Sequence, residues 1–116
     1  MMEKFIVTTT DNIERGTIES YHGVINVNIV IGTNLFSDIA ASFTDIFGGH
    51  SESYQKKMNS MYDMVQNKLI LKAKSLGANA IVGFRIDFDE ISGKGKGMLM
   101  ISGIGTACFV HYNAAR

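Results

Sequence analysis

The stretch YQKKMNSMYDMVQNKLILKAKSLGANAIVGFRIDF, residues 54–88, decides the fold because the spacing of its apolar residues changes once along it. In its first part, apolar residues recur every three or four positions, which is the spacing of one face of an α-helix. The residues on this face are Tyr54, Met58, Met61, Val65, Leu69, Ala73 and Leu76. Gly77 follows, and glycine is common just beyond a helix C-terminus. The pattern predicts one long helix over residues 53–76.

Beyond Gly77 the apolar spacing becomes two, which is typical of a β-strand. One set of alternate residues is Ala80, Val82, Phe84, Ile86 and Phe88, and the other is Ile81, Gly83, Arg85, Asp87 and Asp89. We expect a strand with one apolar face and a second face that becomes charged toward its end. A loop over 92–97, rich in glycine and lysine, and a last strand over 98–112 complete a hairpin.

Two further strands and a short helix precede the long helix. Residues rich in β-branched and aromatic side chains predict strands over 5–9 and 17–31. The apolar parity of the second strand changes near Gly23, and one extra residue there, a β-bulge, would restore it. Apolar residues at helical spacing predict a short helix over 37–47. These residues are Ile39, Phe43, Ile46 and Phe47.

The order of elements is strand, strand, helix, helix, strand, strand, without the repeated strand–helix unit of a parallel doubly wound sheet. We therefore expect an α+β subunit of two layers, with a mainly antiparallel sheet, one long helix and one short helix. The 116 residues fit a single domain, 1–116. Strand residues are apolar on both parities, so the face that the helix leaves uncovered needs an apolar partner, and another copy of the chain is the simplest one, which predicts a homo-oligomer. These strand residues include Val24, Val30, Leu99 and Ile101.

Composition and charge exclude several classes of protein. Eleven Lys and Arg residues balance eleven Asp and Glu residues, so the basic surface of a nucleic-acid-binding protein is not expected. The longest nearly apolar run, 24–31, is far shorter than the ~20 residues that span a bilayer, and no secretory signal is visible. The single cysteine, Cys108, excludes an internal disulfide. We expect no membrane partner and a cytoplasmic location.

Seven segments together resemble a known family. They are TTTDNIE at 8–14, Y-x-G-V at 21–24, G-x-N-x-F-x-D at 32–38, DI-x-GG-x-S-x-SY at 45–54, LGANAIVG at 76–83, MLM-x-S at 98–102 and GTA at 105–107. In this order the segments resemble the YbjQ family, bacterial and archaeal proteins that are uncharacterised and labelled as heavy-metal-binding. The resemblance covers nearly the whole chain. It implies a dodecin-like α+β subunit assembled into a ring, a homopentamer in the family, with no established function.

Candidate metal ligands are Asp87 and Asp89, with His22 as a further one. The family pattern has three acids at alternate positions where this chain has Arg85, Asp87 and Asp89. Alternation places all three side chains on one face, where carboxylates favour a hard cation. The alternatives are a solvated strand end, or two carboxylates neutralised by Arg85.

The histidines and the cysteine give a weaker metal pattern. His22 shares a face with Asn26 and Asn28 if the bulge lies outside that stretch, but no second His or Cys follows at ligand spacing, so a surface histidine is the alternative. Cys108 and His111 are three residues apart, so on a regular strand they point to opposite faces and cannot bind one ion within a subunit. The metal, if there is one, and any other cofactor stay unidentified.

No catalytic constellation is visible in the sequence. Cys108 lies in a strand interior, where burial raises the pKa of a thiol, and no Gly-x-Ser-x-Gly elbow is present. We expect a non-enzymatic homo-oligomer that holds a metal ion or small ligand between subunits. One alternative is a purely structural or interaction protein without a ligand. Another is an enzyme whose active site lies between subunits.

Overall fold

The computed structural model describes residues 4–31, 51–93 and 96–113. The described elements are β1 (Ile6–Val7), β2 (Gly16–Ile31), α1 (Ser51–Ser75), β3 (Ala80–Gly93) and β4 (Lys96–Tyr112). The short helix expected over 37–47 lies outside the described residues. The long helix and the hairpin that follows it are confirmed, and both ends of α1 lie within two residues of the predicted bounds.

The four described strands form one mixed sheet in the order β1-β3-β4-β2. β4 pairs antiparallel with both β2 and β3, whereas β1 pairs parallel with β3. The α+β prediction is therefore confirmed, and most of the strand pairing is antiparallel as expected. The short strand β1 is the exception, because it lies beside β3 and not beside β2, its neighbour in sequence.

The helix α1 packs on one face of the sheet and forms the main core with it. Val65, Leu69 and Ala73 on α1 are fully buried against strand residues such as Ile81 and Ile101. The buried members of this core are Ile25, Ile31, Met61, Val65, Leu69, Ala73, Ala78, Ile81, Phe84, Ile101 and Ala107. The apolar stripe predicted for the helix is thus the stripe that contacts the sheet.

The C-terminus of α1 ends in a Schellman motif. Gly77 has a φ of +85°, and its N–H donates to the Lys74 carbonyl at 3.0 Å. The N–H of Ala78 donates to the Ala73 carbonyl, also at 3.0 Å. These are the two hydrogen bonds of that motif, in which a left-handed residue reverses the chain and satisfies helix carbonyls. The predicted role of Gly77 is confirmed.

A β-bulge in β3 corrects the predicted alternation of that strand. Val82 pairs with Thr106 and Arg85 with Ile104, so three steps along β3 match two steps along β4. Gly83 takes the extra position, with a φ of +64°. The apolar phase therefore inverts, and the prediction that Ala80 and Val82 share a face with Phe84 is wrong.

The inverted phase gives the sheet a second, smaller core on the side away from α1. Its buried members are Ile13, Ala80, Val82, Cys108 and Val110. The loop between β1 and β2 supplies Ile13 to this cluster. Each face of the sheet therefore has a buried apolar cluster at the end where β3 begins.

The bulge predicted in β2 is also present. The pairing of β2 with β4 shifts between Ile18 and Ser20 and again between Tyr21 and Gly23. Gly23 has a φ of +105°, a conformation that glycine adopts without strain. From Val24 to Ile31 the register is regular, so side chains alternate strictly between the two faces.

Candidate functional site

The candidate site is the open face, which is the side of the sheet away from α1 over the regular part of β2. Ile25, Ile31 and Ile101 pack toward α1, so their sequence neighbours point to the opposite side. Cross-strand partners share a face, which extends this assignment to β3. The side chains of the open face are Val24, Asn26, Asn28 and Val30 on β2, Met100, Ser102, Ile104 and Thr106 on β4, and Arg85, Asp87 and Asp89 on β3.

A polar row crosses three strands in the middle of the open face. Asn28 pairs with Ser102, and Ser102 pairs with Asp87. Neighbouring strands lie about 4.8 Å apart, so an amide, a hydroxyl and a carboxylate follow one another across the sheet. The prediction that Arg85, Asp87 and Asp89 share one face agrees with this register.

Apolar side chains surround the polar row and are exposed. Val24 is 70% exposed, Val30 is 57% exposed and Ile104 is 45% exposed. Asp87 and Asp89 are exposed as well. Large apolar side chains grouped on one surface mark an interaction site more often than a solvated one.

Arg85 does not pair with the neighbouring acids among the described residues. Its Nη1 donates to the carbonyl of Phe84 at 3.3 Å. On another part of the sheet, His111 Nδ1 lies 3.4 Å from Glu19 Oε2. The neutralisation of Asp87 and Asp89 by Arg85, which the sequence suggested as an alternative, is not seen.

His22 lies away from the open face. It occupies the bulge of β2, where its ring Nε2 lies 3.2 Å from Ser20 Oγ and its Cε1 lies close to Gly77 at the end of α1. The sequence places His22 on the face of Asn26 and Asn28 only if the bulge lies outside that stretch, and this condition is not met because the bulge falls at His22. His22 lies beside Ala107 of β4, whereas Asp87 pairs with Ser102. These β4 residues are five positions apart, about 17 Å along a strand, so His22 and Asp87 cannot bind one ion within a chain.

Cys108 and His111 are placed as predicted, on different sides of β4. Cys108 is fully buried in the second core, and burial raises the pKa of its thiol. The side chain of His111 is 70% exposed beside Glu19. Within residues 4–31, 51–93 and 96–113, no group of three or more His, Cys, Asp or Glu residues is arranged to hold a metal ion.

A groove runs along the outer edge of β2, where that strand meets α1. Its walls are residues 26–29 of β2 and Lys68, Leu71, Lys72 and Ser75 of α1. Lys72 Nζ donates to the carbonyl of Asn26 at 2.8 Å. Sequence reasoning missed this groove, although exposed Lys68, Leu71 and Lys72 lie beside the apolar stripe at helical spacing and were a visible signal. No described helix is long and apolar enough to cross a membrane.

Comparisons with known proteins place the chain in a family. A YbjQ family model described as "Putative heavy-metal-binding" matches residues 5–111. A UPF0145 protein from Geobacillus kaustophilus (strain HTA426) is 41% identical over 102 residues, which are 88% of this chain and 94% of the relative. A UPF0145 protein from Anoxybacillus flavithermus (strain DSM 21510 / WK1) is 39% identical over 102 residues, with the same coverage of both chains.

The fold is shared with a solved structure. It is the crystal structure of a DUF74-family protein of unknown function from Pediococcus pentosaceus ATCC 25745. The TM-score is 0.62 at 19% sequence identity, and the match covers 90% of this chain and 96% of that chain. At this identity the likeness extends to the fold alone. The family match over residues 5–111 and the two relatives near 40% identity carry the assignment: the chain belongs to the YbjQ family.

Proposed function

We propose that the chain is a non-enzymatic subunit of a ring-shaped homo-oligomer, a homopentamer, that holds a metal ion or small ligand between its subunits. The observation that carries this proposal is the open face, where exposed apolar side chains enclose the polar row of Asn28, Ser102 and Asp87. A single copy leaves this surface in contact with water. Neither nucleic acid nor a membrane is a partner in this proposal.

The exposed apolar side chains support assembly. Full burial of one large aliphatic side chain contributes about 1.5–3 kcal/mol, so covering Val24, Val30 and Ile104 on every subunit favours association. Further copies of the same chain can supply the apolar cover. Closed rings of identical subunits are a common way to cover such a surface repeatedly.

The donor atoms of the polar row favour a hard cation over a heavy metal. Asp87, Ser102 and Asn28 present oxygen atoms, which suit Ca²⁺ or Mg²⁺. Thiophilic metals need thiolate or imidazole ligands, and Cys108 is buried with a raised thiol pKa. One described chain supplies too few ligands, so the site we propose is completed by residues of a second subunit.

The proposed role of Asp87 as a ligand can be tested with Ca²⁺. We expect Ca²⁺ to bind the assembled protein, and Asp87→Asn to weaken that binding by about tenfold or more because one charged ligand per subunit is lost. Isothermal titration of protein purified without chelator measures the affinity. Asp63→Asn, which removes an exposed carboxylate from α1, is the matched control and leaves the affinity unchanged.

Native mass spectrometry of the same sample separates the two halves of the proposal. A pentamer that retains metal supports both halves. A pentamer without uptake at millimolar Ca²⁺ removes the ligand and leaves a structural ring, the alternative favoured by the lack of a three-residue metal cluster in the described part of one chain. A folded single chain at micromolar concentration contradicts the whole proposal.

A further inference from the structure

The described sheet has two long edges that no described strand covers. β2 is the last strand in the order β1-β3-β4-β2, so no strand of the described residues pairs with the outer edge of its 16 residues. β1 pairs with β3 only at Ala80 and Ile81, so β3 has no described strand beside it from Arg85 onward. Long edges of this kind pair readily with another strand.

Lys72 shows which backbone groups of β2 point outward. The Asn26 carbonyl accepts a hydrogen bond from Lys72 Nζ, so it points away from β4. In a regular strand the N–H and C=O of one residue point to the same side, and this side alternates with each residue. Asn26, Asn28 and Val30 therefore present their backbone groups to the outer edge, while the residues between them bond to β4.

The same alternation assigns the outer edge of β3. On β4, the residues opposite Asn26, Asn28 and Val30 make no backbone hydrogen bonds to β2, so their N–H and C=O groups bond to β3. Their partners Arg85, Asp87 and Asp89 consequently point their backbone groups inward. Ile86, Phe88 and Glu90 present theirs outward, at the spacing that matches β2.

The side chains beside the two edges are complementary. Lys68 and Lys72 stand over the β2 edge with Leu71, which is 66% exposed. The β3 edge carries Phe88, which is 38% exposed, and the exposed acid Glu90 on the side that faces α1. A cationic, partly apolar edge thus matches an acidic, partly apolar one.

We propose that the β2 edge of one copy pairs with the β3 edge, residues 85–90, of the next copy, with Lys68 on the same side of the sheet as its Glu90. Both strands run antiparallel to β4, so continuation of the sheet makes this pairing parallel. The two edges differ, so the contact is heterologous and repeats until the assembly closes. This inference rests on the proposed ring and names one contact within it, the pairing of neighbouring sheets.

The pairing also completes the polar row. Asn28 and Asp87 both pair with Ser102 within one copy. If neighbouring copies align in the same register, Asn28 of one copy lies beside Asp87 of the next copy. The row of Asn28, Ser102 and Asp87 then continues from subunit to subunit. Every Asp87 carboxylate gains an amide from a neighbouring chain.

Charge reversal tests the side chains of this interface. We expect Lys68→Glu, and separately Glu90→Lys, to raise the apparent dissociation constant of the assembly by about tenfold because like charges then meet. The chain with both changes restores opposite charges at every junction and returns within about threefold of the unchanged protein. Lys56→Glu has the same charge change on α1 outside the groove and is the matched control. Sedimentation velocity measures the assembly.

A backbone change tests the strand pairing independently. Asn28→Pro removes an outward N–H and leaves the bonds between β2 and β4 in place, so we expect a folded chain by circular dichroism that no longer assembles. Asn28→Ala, which keeps the N–H, still assembles. If the unchanged protein is oligomeric and neither Asn28→Pro nor the charge reversals alter it, or the chain with both Lys68→Glu and Glu90→Lys stays dissociated, this interface is wrong while the ring stands. If the unchanged protein is a single chain, the proposed function fails and the interface fails with it.

Discussion

Gly103 allows α1 to approach β4 closely. A Cβ at this position would overlap Val65 Cγ1 and lie 2.9 Å from Leu69 Cδ1. Both neighbours are fully buried, so they have little room to move. The glycine is therefore required by packing, at the centre of the contact between the helix and the sheet.

We expect Gly103→Ala to lower the free energy of unfolding by about 1–3 kcal/mol because the added methyl overpacks the core. Urea denaturation followed by circular dichroism measures the change. Ser102→Ala, one residue away on the open face, is the control and is expected to change stability by about 0.5 kcal/mol or less. Equal stability of both variants would contradict the packing described for Gly103.

Sequence reasoning placed some site residues correctly and missed others for identifiable reasons. Alternation along a strand was enough to put Asp87 and Asp89 on one face and to separate Cys108 from His111. The position of His22 was not predictable, because it depends on which residue of β2 takes the extra place in the bulge. Backbone pairing with β4 decides which residue that is, and the sequence near Gly23 is compatible with several positions of the bulge.

Among the elements, α1 was the most predictable because its apolar stripe, its length and its terminal glycine all agree. β3 was less predictable because a glycine within a strand is compatible with regular pairing or with a bulge. The N–H groups of Gly83 and Phe84 donate to the carbonyls of Thr10 and Thr8, both at 2.9 Å. These loop residues are distant in sequence, so the feature that holds the bulge was not visible in the strand itself.

We expect Gly83→Ala to destabilise the fold by about 1–2 kcal/mol, because the left-handed conformation at this position is strained for residues with a Cβ. Nothing lies within 4 Å of a Cβ built there, so the effect reports backbone strain and not a clash. Gly83→Asn is the comparison, and it costs less because asparagine tolerates this conformation. Thermal unfolding of both variants measures the difference, and a larger loss for asparagine would argue against strain.

The molecule is elongated, with principal extents of 54 × 29 × 21 Å. The 16 residues of β2 span about 54 Å at ~3.4 Å per residue, whereas the 25 residues of α1 span about 37 Å. One helix therefore cannot cover the length of the strands it lies on. This shape agrees with a subunit that completes its surface by assembly.

We expect the melting temperature of the unchanged protein to rise with protein concentration, because association stabilises only the folded chain. The melting temperature of Asn28→Pro is expected to be independent of concentration. Scanning calorimetry over a dilution series measures both. A concentration-independent melting temperature for the unchanged protein would mean that assembly contributes nothing to its stability.

The bulge at Gly83 gives the two halves of β3 different evolutionary freedom. Before the bulge, the side chains of β3 are buried on both faces of the sheet, so Ala80, Ile81 and Val82 can be exchanged only for side chains of similar size. After it, Arg85, Asp87 and Asp89 lie outside the packed interior. Relatives can therefore diversify the chemistry of this surface by substitutions in a single short segment, without rebuilding the scaffold beneath it.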